Sequence, residues 1–192
     1  MKGRESGMPD AEYWNSFFDA AGIMEVLGCA PGGQETVVEF GSGYGTFTLP
    51  LARRTTGVVH ALDIEPELVK QLQDQATAEG LTGVRVQERD FVTNGTGLPD
   101  GSVDHVMLYN LLHIEEPVAL LREAHRVLRP GGTASIIHWR RDIPTPRGPS
   151  LAIRPDPEQC REWAESAGFD VEPRDISAHA SYHYGLWLRP RQ

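Results

Sequence analysis

Apolar residues recur along this chain with two alternating rhythms. Short, largely apolar runs fall at residues 35–40, 57–62, 102–109 and 133–139, and residues 84–88 alternate weakly. Such runs read as strands of a parallel sheet covered on both faces. Between them the spacing changes to three and four. Leu68, Val69, Leu72 and Ala76 follow Pro66 and stop at Gly80; Leu121, Ala124 and Leu128 follow Pro117; Cys160, Trp163, Ala164 and Ala167 follow an Asp156-Pro157 cap and stop at Gly168. Each set predicts a helix with one buried face. An earlier set, Trp14, Phe17, Phe18, Ala21, Met24 and Leu27, predicts a single amphipathic helix over 11–27, ended by 28–33. Residues 169–176 and 184–188 read as two last strands, and 140–155 as a Pro- and Arg-rich loop too long for a plain connector. Strands alternating with helices define an α/β chain.

The first strand runs into Val37-Val-Glu-Phe-Gly-Ser-Gly-Tyr-Gly45. Glycines at 41, 43 and 45 let the backbone approach a ligand, and a helix starting near Thr46 would direct free N–H groups at a carboxylate or phosphate. Pro50 is tolerated there because the first helical turn has spare donors. A dinucleotide fingerprint needs its third glycine at 46, where Thr46 stands, so an NAD-dependent oxidoreductase is kept only as an alternative. Asp63 ends the second strand about twenty residues further on, where it suits ribose hydroxyls.

Three segments, Glu39 to Gly45, Leu98-Pro-Asp-Gly-Ser-Val-Asp-His-Val-Met-Leu-Tyr-Asn-Leu-Leu-His113 and Arg126-Val-Leu-Arg-Pro-Gly-Gly132, occur in the order found in class I S-adenosylmethionine (SAM)-dependent methyltransferases. The chain resembles that family, and within it the ubiquinone/menaquinone-biosynthesis-like small-molecule branch. The resemblance implies a single Rossmann-like domain with a seven-stranded, mostly parallel sheet, an antiparallel C-terminal hairpin and helices on both faces. Residues 1–33 would form an N-terminal helical cap or lid and 34–192 the methyltransferase domain. It implies SAM as cofactor, held by Glu39, Phe40, Gly41, Ser42, Gly43, Asp63, Ile64, Asp90, Phe91 and Asn110. In that scheme Glu39 faces the ammonium, the backbone around 41–45 the carboxylate, Asp63 the ribose, and Asp90 the adenine amine. Ile64 and Phe91 flank the ring, and Asn110 lies at the methionine end. A SAM-binding relative without catalysis keeps the same motifs and is a further alternative.

Methyl transfer needs orientation and exclusion of water more than a covalent nucleophile, and no nucleophile motif is present. His113 and His138 are the candidate bases, each balanced by a bland reading as a family-typical or core histidine; His179 and His183 are weaker candidates. Tyr13 and Trp14 are expected to cover the acceptor pocket, with Trp139, Arg140 and Arg141 contributing from the fifth strand and the loop after it. The local excess of arginine there points to an anionic or polar small-molecule acceptor. The net charge of -9 weighs against a backbone-driven nucleic-acid binder, and Asn110 is followed by Leu111-Leu112 instead of the Pro-Pro-aromatic sequence of amino-methylating nucleic-acid enzymes. Cys29 and Cys160 fit neither zinc spacing nor a metalloid clasp and read as reduced, packed thiols of a cytoplasmic protein; no metal is expected. No apolar run of about 18 residues offers a membrane span.

Overall fold

The computed structural model describes residues 8–29 and 32–191. Residues 1–7, 30, 31 and 192 lie outside the described residues, including part of the expected 1–33 cap and Pro31 of its terminating turn.

Seven strands form one sheet in the order β3-β2-β1-β4-β5-β7-β6. They are β1 (Val37–Phe40), β2 (Val59–Asp63), β3 (Val84–Glu88), β4 (Val103–Tyr109), β5 (Leu128–Trp139), β6 (Phe169–Arg174) and β7 (His183–Pro190). The first five run parallel, and β7 is antiparallel to both β5 and β6. β1 is buried along its whole length, because both faces of the sheet carry helices. On one face α6 (Pro117–Val127) and α7 (Pro157–Ser166) pack Leu121, Ala124, Cys160 and Ala164 on Val38, Phe40, Val106 and Leu108. On the other, α2 (Ala20–Val26) and α3 (Thr48–Ala52) bring Ile23, Met24 and Leu51 against Val37, Met107 and Ile137, while α4 (Pro66–Ala78) covers Ala61 and Val84 with Leu72 and Ala76.

The N-terminal helix expected over 11–27 is two helices, α1 (Ala11–Asn15) and α2. Local polar groups break it. Ser16 Oγ donates to Tyr13 O at 2.7 Å, and Asp19 both accepts from Gly22 N–H and donates its own N–H to His179 O at 2.8 Å. These side chains compete with helical bonding and favour caps. A short α5 (Phe91–Asn94), capped by Asp90, was not anticipated. β5 begins at Leu128, so Leu128 belongs to the strand instead of the preceding helix. Leu128 pairs with Val103 and Thr133 with His105, so residues 129–132 of β5 bulge out opposite Asp104 alone.

One buried polar chain crosses this apolar interior. His105 bonds through Nδ1 to Thr133 Oγ1 and through Nε2 to Ser135 Oγ, both at 2.8 Å, and Ser135 Oγ meets Tyr109 Oη at 2.9 Å. Each ring nitrogen of His105 has a partner, so the chain ties β4 to β5 in one register without leaving a buried donor orphaned on His105.

Candidate active site

The carboxyl ends of β1, β2, β4 and β5 and the loops after them open into a cavity of about 590 Å3, within the range of small-molecule sites. The switch in strand order falls beside β1, where open α/β sheets place ligands.

The glycine turn 41–45 forms its floor. Gly43 has φ +51 and Gly45 φ +76, left-handed backbone that a side chain strains. A Cβ on Gly45 would strike Leu72 Cδ1 at 2.4 Å, so that glycine serves the packing of α4; one on Gly43 would meet only Met8 Cε, at 3.3 Å. Four of the turn's five amides are not the open donors expected. Gly41 and Ser42 N–H both donate to Leu62 O, Gly45 N–H to Ser42 O, and Gly43 N–H to Asp63 Oδ2 at 2.7 Å. Asp63 is thus a brace, its other oxygen accepting from Glu65 N–H at 3.0 Å. It still lines the cavity, and carboxylate oxygens have lone pairs to spare.

Glu39 is 2 % exposed, lines the cavity and accepts from Thr48 Oγ1. Burial, with the nearby charge of Asp63 adding to it, pushes its carboxyl up to about 8 against the opposing Thr48 bond. A group in that state favours a cation placed beside it. Ser42 Oγ and both amide atoms of Asn110 are buried in the cavity wall with no hydrogen-bond partner among the described residues. Asn110 also holds φ +58, the only non-glycine residue in the left-handed region among those described. Strain and orphaned polar atoms at one residue mark a place built for a ligand.

Of the other expected cofactor residues, Ile64, Asp90 and Phe91 line the cavity, while Phe40 does not: it is fully buried beneath it, its ring 5.2 Å from that of Phe91. Asp90 accepts from Thr93 N–H at 3.0 Å as the cap of α5. Trp14 and Trp139 line the cavity edge to face, their centroids 6.2 Å apart. Tyr13 does not; it is 41 % exposed and packs on Phe17.

Arg140 and Arg141 are also outside the lining, because they have nearer partners. Arg140 is paired in bidentate fashion with Asp142, and Arg141 faces Asp156 at 3.9 Å. The loop's excess of arginine serves the loop itself. Arg154, 6 % exposed, donates to the carbonyls of Arg140, Arg147 and Pro149 and to Thr145 Oγ1. Arg154→Met is expected to lower stability by about 2–4 kcal/mol in urea unfolding, since it orphans several buried acceptors at once. An unchanged urea midpoint would show the loop to be held otherwise.

His113 lines the cavity, and its Nδ1 lies 3.2 Å from Nε2 of His138, which is fully buried behind it. Burial holds His138 far below the ordinary imidazole range. His183 is buried between Phe18 and Trp139, at centroid distances of 4.7 and 4.1 Å, and His179 pairs with Asp19. Met8, Phe47, Gln71, Leu111 and Ile114 also line the cavity. Nothing local in the sequence distinguishes them, since they are brought there by separate segments, Gln71 by α4 and the others by stretches outside the regular elements, that converge on the strand ends.

This fold, with a buried acid and orphaned polar groups beyond the strand ends, defines a nucleoside-type site in a Rossmann-like sheet. Residues 37–132 match the family described as methyltransferase domain, and the chain belongs to that family. It is 31 % identical over 122 residues to the ubiquinone/menaquinone biosynthesis C-methyltransferase UbiE of Hydrogenovibrio crunogenus, covering 60 % of this chain and 46 % of that protein. It is 30 % identical over 119 residues to the aklanonic acid methyltransferase DauC of a Streptomyces species, covering 60 % and 53 %. Among solved structures, a SAM-dependent methyltransferase from Aquifex aeolicus superposes with a TM-score of 0.77 at 25 % identity, over 93 % of each chain. The chain spans about half the length of the two named curated relatives. Both cysteines are free and buried, and no helix among the described residues is long and apolar enough to cross a membrane.

The cofactor of this family fits the groups present. The zwitterionic end of SAM carries a cation and a carboxylate. Glu39 and Asn110 Oδ1 offer acceptors, and Ser42 Oγ–H and Asn110 Nδ2–H offer donors without a partner among the described residues. Asp63 and Asp90 offer carboxylates toward a nucleoside, and Ile64 and Phe91 an apolar wall.

Proposed function

We propose that this chain transfers the methyl group of SAM to a small-molecule acceptor held in the same cavity, in the cytoplasm. The reading is supported above all by the buried carboxyl of Glu39 beside the unpartnered polar atoms of Ser42 and Asn110, which together match an amino-acid ligand end inside a family of methyltransferases. When bound, SAM supplies an electrophilic methyl on a sulfonium, open to in-line displacement. The chain's own part is to neutralise the ammonium with Glu39, hold the ribose with Asp63, and exclude water with Trp14, Trp139 and Leu111. The aromatic-walled cavity and the acidic charge of the chain favour a small acceptor over a nucleic acid.

Calorimetry with SAM, S-adenosylhomocysteine and NADH tests this. One site taking the first two and not NADH is expected; NADH binding alone would return the oxidoreductase alternative. SAM binding without turnover over a broad acceptor panel would leave the non-catalytic relative.

The N-terminal segment is read as a lid in which Trp14, and not Tyr13, is the covering residue. Its helix α1 buries no residue of its own. Two pins hold it to the glycine turn: Tyr44 Oη donates to Pro9 O at 2.8 Å, and Thr46 Oγ1 to Asn15 Oδ1 at 2.7 Å. Trp14→Ala is expected to cut turnover about tenfold or more while moving the melting temperature by only a few degrees, with faster amide exchange at 41–45. Full activity in that variant would remove the lid.

A further inference from the structure

We propose that residues 11–27 form a two-state element. Kinked at 16–19 they hold Trp14 over the cavity, and they open it by closing into one continuous helix when the connection between β6 and β7 releases Asp19. This rests on the lid reading above.

The segment carries two instructions. Its apolar spacing, Trp14, Phe17, Phe18, Ala21, Met24 and Leu27, runs unbroken, and no proline interrupts 11–27. That spacing specifies one helix. The backbone follows it part of the way: Ser16 N–H donates to Glu12 O, and Phe17 and Phe18 N–H to Trp14 O and Asn15 O at 3.2 Å. At Asp19 it stops. In a continuous helix that N–H would take Asn15 O. Here it donates to His179 O at 2.8 Å, so the acceptor that completes the break comes from 160 residues away.

Side chains close the clasp. His179 Nδ1 lies 2.8 Å from Asp19 Oδ2, while Asp19 Oδ1 accepts from Gly22 N–H as the cap of α2. Gly22 belongs to the same arrangement. It sits inside α2 without left-handed backbone, where alanine is the better helix former. A Cβ there would lie 2.1 Å from His179 Nδ1 and 2.6 Å from Asp19 Oδ2, so the glycine is explained by the imidazole seated on it.

Asp19 holds ψ at 88, far from the roughly −42 of a helix, so straightening swings α1 and takes Trp14 from its place beside Trp139. Opening gives up the two pins to the glycine turn and the packing of Phe17 on Trp139 and Tyr182, at 5.4 and 6.0 Å. It recovers helical bonding across the kink. Ala20 N–H, which would then bond Ser16 O, has no partner among the described residues. The kinked form is therefore the resting state, and the straight helix is the form that lets a ligand pass.

S-Adenosylhomocysteine is the probe. It is loaded into the purified chain, and its release on rapid dilution is followed by the fluorescence of Trp14 and Trp139, which line the cavity. His179→Ala and Gly22→Ala are expected to speed release about fivefold to tenfold, the share of a hydrogen bond to a charged group. Ala20→Pro should act the other way. Proline suits the first position of α2, but in a continuous helix it lacks the N–H for Ser16 O and clashes with that carbonyl. Release should then slow by about fivefold or more, and stay slow when His179→Ala is added. In the free protein carrying both Asp19→Ala and His179→Ala, Cα chemical shifts at 16–19 should move toward helical values.

Unchanged release in His179→Ala and Gly22→Ala, release not slowed in Ala20→Pro, or shifts at 16–19 that move toward random coil would each overturn the proposal; the last marks fraying, not helix closure. Trp14→Ala separates the readings. If it leaves release untouched, the lid falls and this proposal with it, whereas fast release there beside unchanged release in His179→Ala and Gly22→Ala removes the clasp alone. Absence of S-adenosylhomocysteine binding would remove the methyl-transfer reading, and the chemical shifts would still decide the helix.

Discussion

Acidification from pH 7 to about 5 should remove a large part of this protein's stability, and the cause is three buried histidines. His105, His138 and His183 are 4 % exposed or less. Burial lowers the first and third from 6.5 to about 3 and the second well below its usual range. The unfolded chain binds protons at these sites below 6.5 and the folded chain does not, so stability is fully present above 6.5 and falls as the pH drops through that value toward 3. Each histidine removes about 1 kcal/mol per pH unit in that window. Glu39 works the other way between 4.5 and about 8, because its folded form holds a proton that the unfolded form has lost. It offsets roughly one histidine, which leaves about 3–4 kcal/mol lost over one and a half units, against a total stability of only about 5–15 kcal/mol. Urea midpoints measured across this range check it. His183, whose two ring nitrogens have no partner among the described residues, gives the sharper control. His183→Leu should raise the midpoint at pH 5.5 and flatten the slope by one histidine's share. Midpoints that do not move with pH would show the histidines to be hydrated.

Gly43→Val should abolish SAM binding, a loss of more than about a hundredfold, while the protein stays folded. A β-branched residue at φ +51 costs about 1–3 kcal/mol of backbone strain, which a domain of this size can absorb. What it cannot absorb is the position: the new side chain has only Met8 Cε near it, at 3.3 Å, and projects into the cavity floor. Gly45→Ala gives the contrast. There the Cβ meets Leu72 Cδ1 at 2.4 Å, so stability should fall and ligand affinity with it only through unfolding. Circular dichroism and calorimetry on both variants separate the outcomes; a Gly43→Val protein that binds normally would place the ligand elsewhere.

The sheet was legible because most of its strands are apolar runs and its helices carry their own boundaries, Pro66 and Pro117 as starts and Gly80 and Gly168 as stops. The glycine turn was equally visible. How its amides are used was not, since Gly41 and Ser42 donate to Leu62 O and Gly43 to the Asp63 carboxylate, all on a neighbouring strand about twenty residues away. The same limit explains the arginine loop. Charge counted along residues 140–155 pointed to an anionic ligand, yet Arg154 turns inward to its own loop's carbonyls and Arg140 takes the carboxylate two residues on. The break at Ser16 to Asp19 was written in capping residues, but the apolar spacing runs straight through it. The pairing of His113 with His138 joins residues 25 apart in sequence and depends on β4 lying beside β5, which no periodicity carries.

The pins from Tyr44 to Pro9 and from Thr46 to α1 bear on how such a protein can diverge. Both side chains hang from the turn whose backbone floors the cavity, so a substitution there alters the ligand's floor and the fastening of its cover together. The two properties are inherited as a block. Selection for a new acceptor would therefore find its freedom in Trp14, Leu111 and Ile114, which touch the cavity without holding the turn, and descendants of this chain should keep Tyr44 and Thr46 while exchanging those three.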